Sequence, residues 1–195
     1  TLMRYSQLTE AIASDIAVFY GGRFQPMHKA HHKVYMNLVE QFGSNNVFIA
    51  TMLAKNAVPE DNPFSFDEKQ MIMTGMFDIP ERNIVQTQPY RPDVSLVGKD
   101  PATTATVLVF SDKDKSRLQP GGFLKKYTSS NSLVPSTQGA YILEVPATND
   151  DMSAGVFRDA IRKDAINEKQ KQSKFMEFFG AFDDDIYNFV KSKIK

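Results

Sequence analysis

The chain has no cysteine among its 195 residues. That excludes a disulfide framework, a cysteine-ligated zinc or iron–sulfur site, and a thiol nucleophile. Net charge is missing too: Lys plus Arg and Asp plus Glu both total 23. Bulk electrostatic attachment to nucleic acid or to an anionic membrane is therefore not expected, although a local patch can still hold phosphate. No uninterrupted apolar run approaches the roughly 20 residues that span a bilayer, and the N-terminal residues lack a secretory pattern. There is no GxxxxGK[ST] phosphate loop, GxSxG elbow, HExxH or GxGxxG, so the corresponding hydrolase, metalloprotease and dinucleotide readings lose support. What remains is 42% hydrophobic and 24% charged, which suits one cytoplasmic globular domain with a sizeable core. The first residue is Thr1 rather than Met, consistent with a start upstream.

The apolar pattern alternates between strand and helix periods. Residues Leu2 to Ala13 read as a short amphipathic helix within an N-terminal extension over 1–15. Ile16 to Tyr20 form a continuous apolar run stopped by Gly21-Gly22, the pattern of a buried strand. Val34, Tyr35, Leu38, Val39 and Phe42 follow helical spacing, with Gly43 as a stop. Val47 to Thr51 read as a second buried strand, and Ser65-Phe66-Asp67-Glu68 as a capping box opening a helix through about Phe77. A short strand at Ile84-Val85 and clear ones at Thr106–Phe110 and Tyr141–Val145 follow. Helical patterns run from about Ser153 and from Phe175 to the end, within C-terminal helices over 163–195. This order is the grammar of a parallel α/β sheet with helices on both faces. The long Pro-, Gly-, Ser- and Thr-rich stretches 86–104 and 119–138 read as loops. We treat 1–195 as a single domain.

Chemistry concentrates in Gly21-Gly22-Arg23-Phe24-Gln25-Pro26-Met27-His28-Lys29-Ala30-His31, which follows the first strand and runs into a helix. Glycines let the backbone approach a ligand, and a helix start offers free N–H donors and the positive dipole end to an anion. His28 and His31, three apart, leave one side of the first turn, where imidazoles can donate to phosphate oxygens. The segment resembles the HxGH nucleotidyltransferase superfamily. It is most similar to the branch carrying GRFQPxHKGH, as in one class of nicotinamide mononucleotide (NMN) adenylyltransferases. The match holds at Gly22, Arg23, Phe24, Gln25, Pro26, His28, Lys29 and His31, with Ala30 in place of Gly. Asn62 to Lys69 is similar to the branch's NPFTxxER, with Ser65 for Thr and Lys69 for Arg. Met152 to Arg158 is similar to ISGTxxR, keeping Ser153 and Arg158 but placing Gly155 where Thr is usual.

The resemblance implies a Rossmann-like three-layer sandwich with a mainly parallel five-stranded sheet in order 3-2-1-4-5. It also implies nucleotide bound across the carboxyl ends of the strands. A phosphate monoester would attack the α-phosphorus of ATP in line and pyrophosphate would leave, chemistry that rests on positioning and charge neutralisation. His28 and His31 would hold the triphosphate, with His31 nearest the transferring phosphorus and Arg158 on the β- and γ-phosphates. Gly21, Gly22, Arg23, Phe24, Lys55, Asp112, Ser153, Ala154 and Gly155 would complete the nucleotide and phosphate contacts. Mg²⁺ would ride on the phosphate oxygens with no protein-held metal site. ATP and NMN are the implied small-molecule substrates, with NAD⁺ as product; nucleic acid and membrane are not expected partners, and self-association stays open. Compact relatives of this branch also occur in large bacteriophages. The alternatives are a cytidylyltransferase making a CDP-alcohol or CDP-sugar, and a catalytically impaired nucleotide-binding domain.

Read singly, the same residues have plainer roles. Ser153 suits an N-cap, Asp150 and Asp151 a helix start or Mg²⁺, and Asp112 a solvated turn at a strand end. Lys55 divides between phosphate contact and solvation, and Phe64 between core packing and base stacking. His32, about 100° around the helix from His31, reads as structural or solvent-facing. Phe175, Phe178, Phe179 and Phe182 read as helix packing, and Asp183 to Asp185 as a helix N-terminal charge cluster.

Overall fold

In a computed structural model, described over residues 11–114, 118–128, 132–147 and 153–195, the apolar runs become the centre of one twisted sheet. Its strands are β1 (Asp15–Gly21), β2 (Val47–Thr51), β3 (Ile84–Gln86), β4 (Thr104–Ser111), β5 (Leu124–Lys126) and β6 (Ala140–Val145). They lie in the order β3-β2-β1-β4-β6-β5 and every pair is parallel. The expected five strands and their order are present. The sixth, β5, is an extra edge strand of three residues, whose exposed Lys125 and Lys126 suit an edge that must not recruit further strands.

Strand period places successive side chains on opposite faces. Val18 and Tyr20 of β1 and Val107 and Val109 of β4 join one core, while Ala17, Phe19, Leu108 and Phe110 join the other. Five helices supply the first core: α1 (Lys29–Phe42), α2 (Phe66–Phe77), α3 (Ala154–Arg162), α4 (Glu168–Phe179) and α5 (Asp184–Lys193). The opposite face differs from the expected helical layer. Among the described residues it is covered by the chain after β3, through Tyr90 and the 3₁₀ turn Val94–Val97. The stretch read as a loop over 86–104 is therefore the third layer of the sandwich.

Several boundaries follow directly from cap chemistry. Gly43 ends α1 at φ 86, and Ser65 with Glu68 forms the reciprocal box that opens α2. The helical pattern from Phe175 onward is broken into two helices by Gly180, left-handed at φ 82, and Asp183 caps the second of them. Phe175, Phe178, Phe179 and Phe182 pack among one another and against Phe157 and Tyr187, as helix-packing residues should. Residues 11–13 carry no helix, and the rest of the expected Leu2–Ala13 helix lies outside the described residues, as do Asp150, Asp151 and Met152.

The chain leaves β1 for β2 on one side while β4 pairs with β1 on the other. This reversal of direction leaves a crevice at the carboxyl ends of β1 and β4, where open parallel sheets place ligands. Gly21 stands at its floor. A β-carbon there would lie 2.8 Å from both the Phe110 ring and Pro89 Cβ, and Phe110 is itself stacked on Tyr90 at 4.8 Å between ring centroids. Gly21→Ala is expected to lower stability by about 1–3 kcal/mol, read as a reduced urea midpoint; an unaltered midpoint would show that the rings yield freely.

Candidate nucleotide site

The turn after β1 is built around one residue in an uncommon conformation. Phe24 sits at φ 47, which a bulky side chain adopts only when its surroundings impose it. Its ring folds back over Gly22, where a β-carbon would come within 2.6 Å, and is buried against Tyr20. The edge of Phe24 meets His31 at 5.2 Å and 89°. Phe24, expected among the phosphate contacts, is thus placed as packing that holds the histidine turn. The Gln25–Pro26 peptide that follows is cis.

His28 is the N-cap of α1. Its Nδ1 accepts from the backbone N–H of Ala30 at 3.2 Å and of His31 at 3.3 Å, while His31 Nδ1 accepts from the His28 N–H at 3.4 Å. This is a capping box made from two imidazoles in place of the usual hydroxyl and carboxylate. An Nδ1 that accepts an N–H carries a lone pair, so the single proton of each neutral ring sits on Nε2. The rings stack at 3.7 Å and 22°, and the edge of Phe178 closes on His28 at 5.2 Å. His28 is 1% exposed. Burial, first, and the neighbouring Lys29 hold its pKa down to about 4; burial and the adjacent His28 hold His31 down to about 3. Both rings are neutral Nε2–H donors at physiological pH, and the half-buried His31 is the more accessible of the two. Ala30 is helical and gives its N–H to the cap, so the extra methyl adds no backbone strain. His32 stacks on Phe77 at 4.8 Å, which makes it structural.

Three motifs far apart in sequence meet at this turn. The Gln25 carboxamide pairs with the Phe64 backbone in both directions, at 2.8 and 2.9 Å. Phe64 is fully buried, so its side chain belongs to the core. Arg158, 133 positions from Gln25, donates Nη1–H to the Gln25 carbonyl at 2.7 Å, and Nη2 pairs with Asp61 at 3.2 Å. Lys69 Nζ donates to Thr51 Oγ1 at 2.6 Å and to the carbonyls of Arg23 and Met52 at 3.1 and 3.3 Å.

The remaining expected contacts separate. Arg23 keeps its side chain exposed and offers its carbonyl to Lys69. Ser153 caps α3 by accepting from Val156 N–H at 3.2 Å, leaving Ala154 and Gly155 in the first turn, where backbone donors lack helical partners. Among the described residues, a β-carbon on Gly155 would meet only Ser153 Oγ, at an ordinary 3.9 Å. Asp112 is tied back to the Ala147 N–H at 2.9 Å, and Lys55 is exposed in the loop after β2; neither is drawn to the histidines by a contact. Among the described residues no group of three or more His, Asp or Glu side chains is placed to hold a metal ion. No described helix is long and apolar enough to cross a membrane.

Lys69, noted in the sequence only as standing where the similar motif has Arg, is a buried tether that no spacing reveals. It is 1% exposed, and the oxygens it reaches are all neutral. Burial lowers its pKa to about 8. The available signal was a cation in the first turn of a helix, where the dipole opposes it. Its ammonium ties the turn after β1 to the turn after β2. Lys69→Met, which strands these acceptors, is expected to cost about 2–4 kcal/mol and to shift the backbone amides of Arg23 and Met52. Lys69→Arg restores most of the stability, and a Lys69→Met chain as stable as the parent would refute the tether.

The cytidylyltransferase-like family profile matches residues 19–128, more than half of the chain. The chain belongs to this family and is a protein of the nucleotidyltransferase type. A solved structure of Plasmodium falciparum nicotinic acid mononucleotide adenylyltransferase, complexed with NaAD, is similar in fold. It shares 10% identity at a TM-score of 0.49, covering 82% of this chain and 89% of that one. No curated protein matches the sequence.

Proposed function

We propose that the chain transfers AMP from MgATP to a phosphate monoester with release of pyrophosphate, and that the monoester is NMN, giving NAD⁺. The observation that carries this reading is the imidazole cap: two neutral rings, each with its proton fixed on Nε2, at the carboxyl end of the central strand. A neutral donor suits this task. It can hydrogen-bond a phosphate oxygen throughout the reaction without losing a proton to it, and its geometry is set before substrate arrives.

In the step we infer, a phosphate oxygen of the acceptor forms a bond to the α-phosphorus as the bond to the β-phosphate bridging oxygen breaks, and pyrophosphate departs with its electron pair. His31, the more accessible ring, donates to the α-phosphate as its charge redistributes; His28 fixes His31 by stacking and by capping the helix beneath it. Arg158 and the first-turn donors at Ala154 and Gly155 take the β- and γ-phosphates and the leaving group. Magnesium belongs to the nucleotide substrate and neutralises its charge. No protein nucleophile is needed, in keeping with a turn that has donors but no activated hydroxyl or thiol. The choice of ATP and NMN rests on the GRFQPxHK resemblance, while the family match gives CTP a place as second donor.

The deciding experiment measures pyrophosphate release with ATP, CTP, GTP and UTP, each crossed with NMN, nicotinate mononucleotide, phosphopantetheine and glycerol 3-phosphate. The ATP and NMN pair is expected to turn over fastest, and His31→Ala to lower its kcat roughly 100-fold or more with folding preserved. Turnover that survives His31→Ala would remove the imidazole from the reaction. Release with no pair, alongside nucleotide-induced thermal stabilisation, would assign a binding domain instead.

A further inference from the structure

Arg158 holds an incomplete contact. A guanidinium presents Nε–H and Nη2–H side by side, a fork that matches two oxygens of one carboxylate or phosphate. Here Asp61 Oδ1 takes Nη2 alone, at 3.2 Å, while Nε is buried with no hydrogen-bond partner among the described residues. The side chain of Arg158 is 8% exposed and that of Asp61 is 63% exposed. A buried donor left empty normally costs about 1–3 kcal/mol, so this half-filled fork is a site awaiting a better-fitting anion.

The charge around it points the same way. Burial, first, lowers the Arg158 pKa, the Asp61 carboxylate opposes that shift, and Arg162 and Arg23 add like-charge repulsion. Three guanidinium groups thus share a neighbourhood in which Asp61 is the acid paired with Arg158. Arg162 is occupied separately, by the Glu60 and Lys195 carbonyls and by Asp159. Asp61 sits in the turn Val58–Asn62, closed by its own bonds from the Asp61 and Asn62 N–H groups to the Val58 carbonyl, and Arg162 of α3 donates to the neighbouring Glu60 carbonyl apart from the ion pair.

We propose that Asp61 is an internal stand-in for substrate phosphate: it occupies Arg158 in the free protein, is displaced when the polyphosphate fills the Nε–Nη2 fork, and returns to speed departure of pyrophosphate. This rests on the nucleotidyl-transfer reading above and adds to it a residue that sets the affinity of the polyphosphate subsite. Inorganic pyrophosphate is the discriminating probe because it carries neither base nor acceptor.

The test is titration calorimetry of the full chain with magnesium pyrophosphate and with MgATP, for the parent, Asp61→Asn and Asp61→Ala. Asp61→Asn keeps an oxygen for Nη2 and removes only the competing charge. Both variants are expected to bind pyrophosphate about two- to five-fold more tightly, and product inhibition by pyrophosphate strengthens in parallel. The gain shrinks at high salt and vanishes in an Arg158→Met background. Affinity that is unchanged or weaker in both variants would overturn the proposal and leave Asp61 as a loop tether, with nucleotidyl transfer by the parent unaffected. Parent chain that binds neither pyrophosphate nor MgATP would overturn both readings. Tighter pyrophosphate binding without turnover on NMN would sustain this proposal and refute only the acceptor.

Discussion

Two imidazoles that cap one helix by accepting each other's backbone N–H are the constraint on which the site depends. Capping normally falls to a hydroxyl or a carboxylate, groups that end a helix and do little else. An imidazole has a second nitrogen. With Nδ1 committed to the backbone, Nε2 becomes a donor whose direction is set by the helix start itself. The cap and the candidate chemistry are therefore the same interaction, and helix α1 holds the donors in place. Phe24, forced to φ 47 over a glycine that leaves room for its ring, and Phe178 complete the packing that keeps these rings neutral.

Around this cap the protein assembles a polar floor from segments that share no local structure. Gln25 binds the Phe64 backbone, Arg158 binds the Gln25 carbonyl, and Lys69 binds the Arg23 carbonyl. Each bond joins a sequence motif to the first one, so the motifs are coupled through the backbone of a single turn. Buried networks of this kind hold only if their members are satisfied. The exception, Arg158 Nε, stands out for that reason. Cations dominate the floor: among the described residues Lys69 is buried without an acid, and Arg158 pairs with one exposed acid. Such an excess of positive charge is sustained most readily in a place that receives a polyanion.

Much of the fold was legible because its signals are local. Continuous apolar runs marked β1, β2, β4 and β6, and cap residues marked the ends of α1 and α2. What escaped is long-range. Strand β5 is three residues with two lysines, a composition that exists as strand only because β6 lies beside it. Val94–Val97 covers a sheet face with a single short turn, too brief to show a period. In the site, motif resemblance brought Arg158 and the histidines forward, but their neutral tautomers follow from hydrogen bonds that no spacing reveals. The buried contacts of Lys69, placed in a motif with no stated partner, and of Asp61, which carries no motif signal, depend on partners 18 and 97 positions away. Phe64, left open between core packing and base stacking, is a core ring whose backbone carries the contact.

The site works only if His28 and His31 are neutral donors before any substrate arrives. Long-range proton–nitrogen NMR of the imidazoles, taken from pH 7 down to pH 5, tests it most directly. Both rings are expected to keep the Nε2–H neutral tautomer throughout, because burial, with Lys29 beside His28 and His28 beside His31, holds their pKa values at about 4 and 3. Only the Nε2 resonances should move when MgATP is added. Imidazolium signals growing in near pH 6.5, or protons found on Nδ1, would contradict it.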